Sequence, residues 1–220
     1  MSASTTITVG AAAQLHFSTQ PSGGVSNAPF ATQPVVSVEV AGGNAVTTDT
    51  SAVTLALTTP AGATLACTGN PKAAVAGIAT FAGCNVNLVG TYTLTATDGA
   101  LTAATSAPLT VTAGPAVALA MVTAPTGGAT GADWTVQPVL RFVDAFGNTA
   151  TSSTDLVTIE IVFGPSDVNG VECGANPQAA VSGVVAFAHC TINTAHAPPS
   201  TWSLQFTSVF GSVTAPVTEH

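Results

Sequence analysis

Apolar and polar residues alternate along most of the chain. In segments such as VSVEV, VTLAL, IATF and YTLTA, apolar residues are separated by Thr, Ser or Glu, which is the period of a half-buried β-strand. Turn sequences rich in Gly, Pro, Asn and Asp lie between these segments, among them AGGN, AFGN, PAGA, TGNP and TDGA. No stretch of useful length shows the period of an amphipathic helix. The pattern predicts an all-β protein.

The same pattern occurs twice. PVVSVEVAGGNAVTTDTSAVTLAL begins at Pro34, and PVLRFVDAFGNTATSSTDLVTIEI begins at Pro138, 104 residues later. CTGNPKAAVAGIATFAGC from Cys67 matches CGANPQAAVSGVVAFAHC from Cys173 at a shift of 106, so the second copy has gained two residues at FGPSDVNG. GTYTLTAT then matches STWSLQFT at a shift of 110. The chain is therefore a tandem repeat.

Each copy has room for roughly seven short strands in about 100 residues, which indicates an immunoglobulin-like Greek-key β-sandwich. We expect an N-terminal extension strand at residues 1–10, a first domain at 11–112 and a second at 115–220. The linker TAGPA is short and contains Pro115. We therefore expect a short rod with limited freedom between the domains.

Several of these strings resemble a known kind of repeat. QLHFSTQPSGG, FATQPVVSVEVAGGNAV, GIATF and GTYTLTATDGALT are similar to bacterial immunoglobulin-like repeats of the invasin type, which occur in tandem in surface adhesins and in large secreted proteins. The resemblance covers nearly the whole chain, but the second copy departs from it where TAPTGG replaces STQPSGG. It implies a stalk, spacer or adhesive role and supplies no catalytic residues.

Composition narrows the possible partners and locations. Two basic residues, Lys72 and Arg141, stand against ten acidic ones, for a net charge of -8. A nucleic-acid partner is disfavoured because phosphate binding needs clustered Lys and Arg. No apolar stretch approaches the roughly 18 residues of a membrane helix, so we expect no membrane span.

The location is expected to be extracellular or at the cell surface. Charged residues make up only 5% of the chain, and Thr and Ser hydrate its surface while favouring strands. Few Lys and Arg also leave little for trypsin-like proteases to cut. The N-terminus MSASTTITVG has neither the basic nor the apolar region of a signal peptide, so an exported form is expected to be mature or a fragment.

Four cysteines permit three pairings. Repeat symmetry selects Cys67 with Cys84 and Cys173 with Cys190, because each pair is 17 residues apart within one copy. Each bond would join the sides of a local hairpin, and paired cysteines favour an oxidising compartment. Four buried free thiols are the alternative. A zinc site is disfavoured because no CxxC or CxH spacing occurs near these cysteines.

The chain is not expected to be an enzyme or to bind a cofactor. His16, His189, His196 and His220 share no spacing with one another or with acidic residues that would indicate a metal site. His189 precedes Cys190, and a Cys-His nucleophile can be imagined there. The first copy has Gly83 at the histidine position, however, and a disulfide explains the cysteine.

Three residues of the second copy are candidate contacts. Asp144 and Asn148, in DAFGN, have oxygens that could bind calcium. Their alternative role is structural, because an Asp often opens a Gly-Asn turn and the first copy has Val40 in place of Asp144. Phe146 lies in the same turn and is the best single candidate for an exposed apolar contact.

Aromatic residues that recur at matching positions are expected in the core. These pairs are Phe30 and Trp134, Phe81 and Phe187, and Tyr92 and Trp202. The second copy has further phenylalanines without an aromatic counterpart in the first: Phe142, Phe146, Phe163, Phe206 and Phe210.

Both ends of the sequence suggest strand addition between chains. STTITVGAAAQLHF at the N-terminus resembles APLTVTAGPAVALAM at the junction, so Thr6, Ile7, Thr8 and Val9 match the last strand of a preceding domain. At the other end, APLTVT matches APVTEH, which puts Glu219 where Val111 points inward. We therefore expect the second domain to have a defective last strand, and such an edge can accept a strand from another chain.

Two main hypotheses for function follow. In the first, the chain is a subunit of an extracellular filament or surface fibre, and the N-terminal strand of one copy completes the second domain of the next. In the second, it is a rod-like segment of a multi-repeat cell-surface adhesin, with a possible cell-surface or host ligand. A glycan-binding adhesin tip is a third hypothesis.

Overall fold

A computed structural model describes residues 10–59, 62–129, 131–164, 168–194 and 200–219. All regular secondary structure in these ranges is β-strand, and the all-β prediction is confirmed. The chain divides into two compact units, Met1–Thr112 and Ala113–His220, which are called the first and second domains below.

The first domain is a two-layered sandwich of short strands. Its described strands are β1 (Gln14–Thr19), β2 (Gly24–Val25), β3 (Val35–Glu39), β4 (Ala52–Leu57), β5 (Leu65–Thr68), β6 (Lys72–Ala73), β7 (Ile78–Thr80), β8 (Ala82–Val86), β9 (Gly90–Tyr92), β10 (Leu94–Thr97), β11 (Ala104–Thr105) and β12 (Leu109–Thr112).

The order of these strands is that of an immunoglobulin-like domain. In the first layer, β3 lies between β1 and β7, and the chain runs on through Phe81 into β8, which pairs with β5. In the second layer, β10 lies between β4 and β11, and β9 pairs with β12. The short strand β2 leaves the first layer and runs parallel to β12. The predicted immunoglobulin-like sandwich is confirmed.

The second domain repeats this arrangement with longer strands at its C-terminal end. Its described strands are β13 (Ala118–Thr123), β14 (Val139–Val143), β15 (Leu156–Phe163), β16 (Val168–Glu172), β17 (Gln178–Ala179), β18 (Val184–Ala186), β19 (Thr191–Thr194), β20 (Ser200–Ser208) and β21 (Gly211–Glu219). Strand β14 lies between β13 and β18, β16 pairs with β19, and the other layer has the order β17, β15, β20, β21.

Alternation of apolar and polar residues places one face of each strand in the core. Strand β10 alternates buried and partly exposed positions, and so do β4 and β20, as the period of two requires. The six recurring aromatic residues are all buried, with the most exposed, Tyr92, at 7%. The prediction that they form the two cores is confirmed.

Additional aromatic residues enlarge the second core. Phe142 and Phe206 are fully buried, and they correspond to Val38 and Ala96 of the first domain. Phe210 packs edge-on against Phe142, with ring centroids 5.7 Å apart. Edge-to-face pairs of this kind add to the burial of the rings themselves. Three of the five unmatched phenylalanines therefore serve packing.

The last strand of the second domain is complete, and the expectation that it is defective is wrong. All nine residues of β21 pair with β20, and Ala215 and Val217 are buried. Glu219 pairs with Ser200 in the register that Val111 has in the first domain. The strand gains its length at the other end, where a tight hairpin at residues 209–210 lets the pairing continue without interruption.

The first domain interrupts the equivalent strand. Between β11 and β12, the Ser106 hydroxyl accepts a hydrogen bond from the Leu94 N–H at 2.9 Å and donates one to the Ala107 carbonyl. Local side-chain bonds of this kind compete with regular pairing. The equivalent sequences APLTVT and APVTEH therefore contain a separate short strand in the first domain and the end of a longer strand in the second.

An asparagine side chain takes the place of a neighbouring strand in each domain. The Asn70 amide accepts from the Leu55 N–H at 2.9 Å and donates to the Leu55 carbonyl at 2.8 Å. Asn176 binds Ile159 in the same way, at 3.0 and 2.9 Å. Strands β6 and β17 pair only with the first residues of β4 and β15, and the amide satisfies the next outward-facing residue.

We predict that Asn176→Ala destabilises the second domain by about 1–2 kcal/mol, because two hydrogen bonds to a strand edge are lost. Both tryptophans of the chain lie in this domain, so tryptophan fluorescence during urea unfolding measures the effect directly. Asn70→Ala is the matched control and should leave the tryptophan-detected midpoint unchanged. A shift with Asn70→Ala, or none with Asn176→Ala, would contradict the assignment.

Candidate functional site

Both symmetric disulfides are formed in the structure. Cys67 bonds to Cys84 and Cys173 bonds to Cys190. The Cα atoms of each pair are 3.9 and 4.0 Å apart, so the cysteines lie directly opposite each other on adjacent stretches of chain. Cys84 and Cys190 are fully buried. Each bond joins neighbours within one layer and does not link the two layers.

The geometry around His189 does not form a nucleophile pair with Cys190. The sulfur of Cys190 is bonded to Cys173, so it carries no thiol to be deprotonated. The His189 Nδ1 atom lies 2.7 Å from an Asp133 carboxylate oxygen. Both side chains are exposed, at 78% and 55%, and such ion pairs contribute little to stability.

Asp144 is a buried carboxylate that organises a turn. It is 4% exposed, and its oxygens accept from the main-chain N–H groups of Phe146 and Asn148, each at 2.9 Å. They also accept from the Asn148 side chain, and from the Gly114 N–H at 2.9 Å. The carboxylate thus ties the first residues of the second domain to the turn after β14.

These hydrogen bonds set the ionisation of Asp144. Desolvation by burial raises its pKa, but the bonds from Gly114, the Asn148 side chain, Phe146 and the Asn148 main chain together outweigh it. The pKa of Asp144 is held well below its usual range, because each donor favours the charged form. Asp144 therefore stays ionised in the folded protein at all ordinary pH values.

The proposed calcium role of Asp144 and Asn148 competes with this turn. The Asn148 amide nitrogen points at Asp144, 3.0 Å from one of its oxygens, so the side chain offers a donor where a metal would need an oxygen. Among the described residues, no three His, Cys, Asp or Glu side chains are grouped to hold a metal ion.

Two phenylalanines of the second domain are exposed. Phe146 is 55% exposed at the tip of the turn that Asp144 organises. Phe163, at the end of β15, is 78% exposed, and Val162 beside it is 48% exposed. The sequence indicates Phe146 because it lies in a turn. Phe163 lies in a segment with a strand pattern, and nothing in that pattern indicates that its side chain is exposed.

The outer edge of β21 is a candidate site for strand addition. Among the strands that the structure describes, β21 is the outermost of its layer, whereas β12 of the first domain has β2 alongside it. Ser208 and Gly211 close a two-residue hairpin, so the odd-numbered residues of β21 exchange main-chain bonds with β20 and the even-numbered ones point outward. Pro216 has an even number, and its missing N–H is therefore tolerated.

The predicted donor strand cannot be placed on this geometry. Thr6, Ile7, Thr8 and Val9 lie outside the described residues.

None of the segments that the structure does describe is a helix with the length and apolar character needed to cross a bilayer.

Comparison with known proteins adds distant structural similarities. No family model and no curated protein matches the chain. Domains 4–9 of the surface-layer protein SbsC are 17% identical over 96% of this chain and 32% of that one, with a TM-score of 0.36. The Yersinia pseudotuberculosis adhesin InvE is 16% identical over 90% of this chain and 56% of that one, with a TM-score of 0.37.

A tandem from titin, I9–I11, is 12% identical over 94% of this chain and 66% of that one, with a TM-score of 0.31. The chain spans about a third of the length of the SbsC fragment. The strand order and pairing of this chain define its fold as immunoglobulin-like.

We predict that replacing both cysteines of the first domain, Cys67→Ala with Cys84→Ala, destabilises that domain by about 2–5 kcal/mol. The tryptophan-detected unfolding of the second domain should not change, and the double variant of Cys173 and Cys190 should give the reverse result. Mass mapping of an unreduced digest checks the pairing. Cross-repeat pairs or free thiols in that map would contradict it.

We predict that Asp144→Asn destabilises the second domain by about 1–3 kcal/mol at pH 7. Because the folded-state pKa is lowered, the stabilisation by Asp144 is complete above the unfolded pKa near 4 and is lost as the pH falls through the lower folded value. The difference between wild type and variant should therefore shrink between about pH 5 and pH 2.

Urea unfolding followed by tryptophan fluorescence at pH 7, 4 and 2 measures this difference. Val40→Asn at the equivalent position of the first domain is the control and should not move the tryptophan signal. A constant difference across this pH range would show that the Asp144 charge does not stabilise the turn.

Proposed function

We propose that this chain is a non-catalytic structural subunit that works outside the cell or at the cell surface. Two disulfides, one in each domain, support a location in an oxidising environment, where such bonds persist. The low charge of the chain and its scarcity of Lys and Arg support a surface exposed to proteases. Its tandem immunoglobulin-like domains suit a stalk, spacer or fibre.

We further propose that subunits assemble head to tail by strand addition. The observation that carries this proposal is the position of β21 as the outermost described strand of its layer. Thr6, Ile7, Thr8 and Val9 of another copy would form the added strand, because they alternate polar and apolar residues in the manner of a strand. Main-chain pairing would supply the affinity, and a contact between unlike surfaces that does not close produces a fibre.

The complete last strand changes how this addition would occur. β21 already pairs with β20 along its whole length, at the position where a defective last strand would have accepted the donor. The donor strand would therefore lie beside β21 and would not replace it. This is the position that β2 takes beside β12 in the first domain. In the register of β21 with β20, the N–H groups of Thr214 and Thr218 point away from β20, and Pro216 interrupts them.

A rod-like segment of a longer adhesin is the second candidate. It is favoured by Pro216 itself, because proline on an outer strand is a common protection against pairing with other chains. In that case the domains act as spacers, and no copy of the chain binds another. The exposed ring of Phe146 would then be a candidate contact for a cell-surface or host ligand.

We predict that Thr218→Pro abolishes fibres while leaving the second domain folded, because its N–H points outward and proline is tolerated there. Ile7→Asp with Val9→Asp should also abolish them, because Asp would replace the apolar face of the added strand. Thr6→Asp with Thr8→Asp is the matched control and should retain fibres. Negative-stain microscopy and sedimentation measure the outcome.

Isolated wild-type particles at high protein concentration would overturn assembly and leave the adhesin segment as the function. Fibres that persist in Thr218→Pro and in the Ile7 and Val9 double variant would show that assembly uses another surface.

A further inference from the structure

A groove occurs at the same place in both domains. It lies between the second half of β4 and β5 in the first domain, and between the second half of β15 and β16 in the second. In the first domain its volume is about 350 Å³ and in the second about 370 Å³. The first groove is lined by Leu55, Ala56, Leu57, Ala63, Thr64 and Leu65. The second is lined by Ile159, Glu160, Ile161, Gly170 and Val171. Three apolar positions match between the two grooves: Leu55 and Ile159, Leu57 and Ile161, and Leu65 and Val171.

In the second domain, the main chain of Ile161 points into this groove. Asn176 binds the outward N–H and C=O of Ile159, and alternate residues of an antiparallel strand point their main-chain groups the same way. Ile161 is two residues further along β15, and β17 pairs only with Leu156 and Val157. The groove therefore offers a strand edge above an apolar floor.

Charge distinguishes the two grooves. In the second domain, Glu160 on β15 lines the groove, and Glu172 on β16 follows the lining residue Val171 in the chain; both are exposed. Their counterparts in the first domain are Ala56 and Ala66. The second domain as a whole has one Arg against seven Asp and Glu, which accounts for -6 of the net charge of -8. The described lining of the second groove thus includes a carboxylate, Glu160, which favours a cationic partner, whereas the described lining of the first groove is uncharged.

Apolar exposure distinguishes them too. Val162 and Phe163 follow the groove in the second domain and are 48% and 78% exposed. Thr58 and Thr59 stand at these positions in the first domain. An exposed aromatic ring beside an open strand edge is a liability in an isolated protein, and it provides contact area when a partner binds.

We propose that the groove of the second domain binds an extended peptide segment of another protein, in which Lys or Arg alternates with Val, Ile or Leu. The segment pairs with β15 at Ile161 and places its apolar side chains in the groove. Its basic side chains lie on the outer face beside Glu160, at the spacing of cross-strand neighbours. The neutral groove of the first domain does not bind this segment.

The test uses the full chain, labelled with nitrogen-15, and an eight-residue peptide that alternates Val and Lys. We expect main-chain amide shifts at Ile161 and its neighbours in β15, and none at the equivalent residues of β4. A peptide with Glu in place of Lys should not bind. Methylation of alternate peptide nitrogens should weaken binding about tenfold, because it removes main-chain hydrogen bonds and keeps the charge.

Variants separate this site from general attraction to an acidic protein. Glu160→Ala should weaken binding about three- to fivefold, and added salt should reduce that difference. Asp133→Asn removes an exposed charge elsewhere in the same domain and should change the affinity less than twofold. Equal binding of the acidic or methylated peptide would overturn the proposal. So would shifts at β21 or in the first domain, or a dissociation constant weaker than about 1 mM.

Discussion

The main-chain groups at the edges of the sheets are the constraint on which the rest of this structure depends. Edge strands carry N–H and C=O groups without a neighbouring strand, and many proteins protect them with lysine. This chain has one Lys and one Arg in 220 residues, so it uses other means. Asn70 and Asn176 take the place of a strand, β2 covers β12, and Pro216 interrupts the edge of β21. Both proposed binding surfaces are edges that remain.

Much of the fold follows from local sequence, because a period of two residues and glycine-rich turns specify strands without reference to the rest of the chain. The repeat also selects the cysteine pairing, since symmetry removes the alternatives. The features that the sequence does not reveal depend on pairing between residues that are far apart in the chain. Asn70 and Asn176 resemble ordinary turn residues, and only the end of pairing at β6 and β17 gives their amides a function. The complete β21 depends in turn on a hairpin that APVTEH does not contain.

The two copies also show how one framework accepts different cores. The Tyr92 hydroxyl donates to the Leu88 carbonyl at 3.1 Å, whereas the Trp202 indole N–H has no hydrogen-bond partner among the described residues. A side chain at Gly164 would place its Cβ 2.2 Å from the Trp202 ring, so glycine is required there. Trp202 thus leaves a buried N–H without a described partner and requires glycine at position 164. The large apolar area that its ring buries offsets both effects.

The parallel pairing of β2 with β12 has a mechanical consequence. β2 lies near the start of the first domain and β12 at its end, so tension along the chain pulls these parallel strands in opposite directions and loads their hydrogen bonds in shear at the same time. In the second domain, β21 is the outermost described strand of its layer and is held by β20, so we expect this domain to yield at a lower force. Each disulfide then keeps 17 residues from extending, about 60 Å of chain, and limits how far a stretched domain can lengthen.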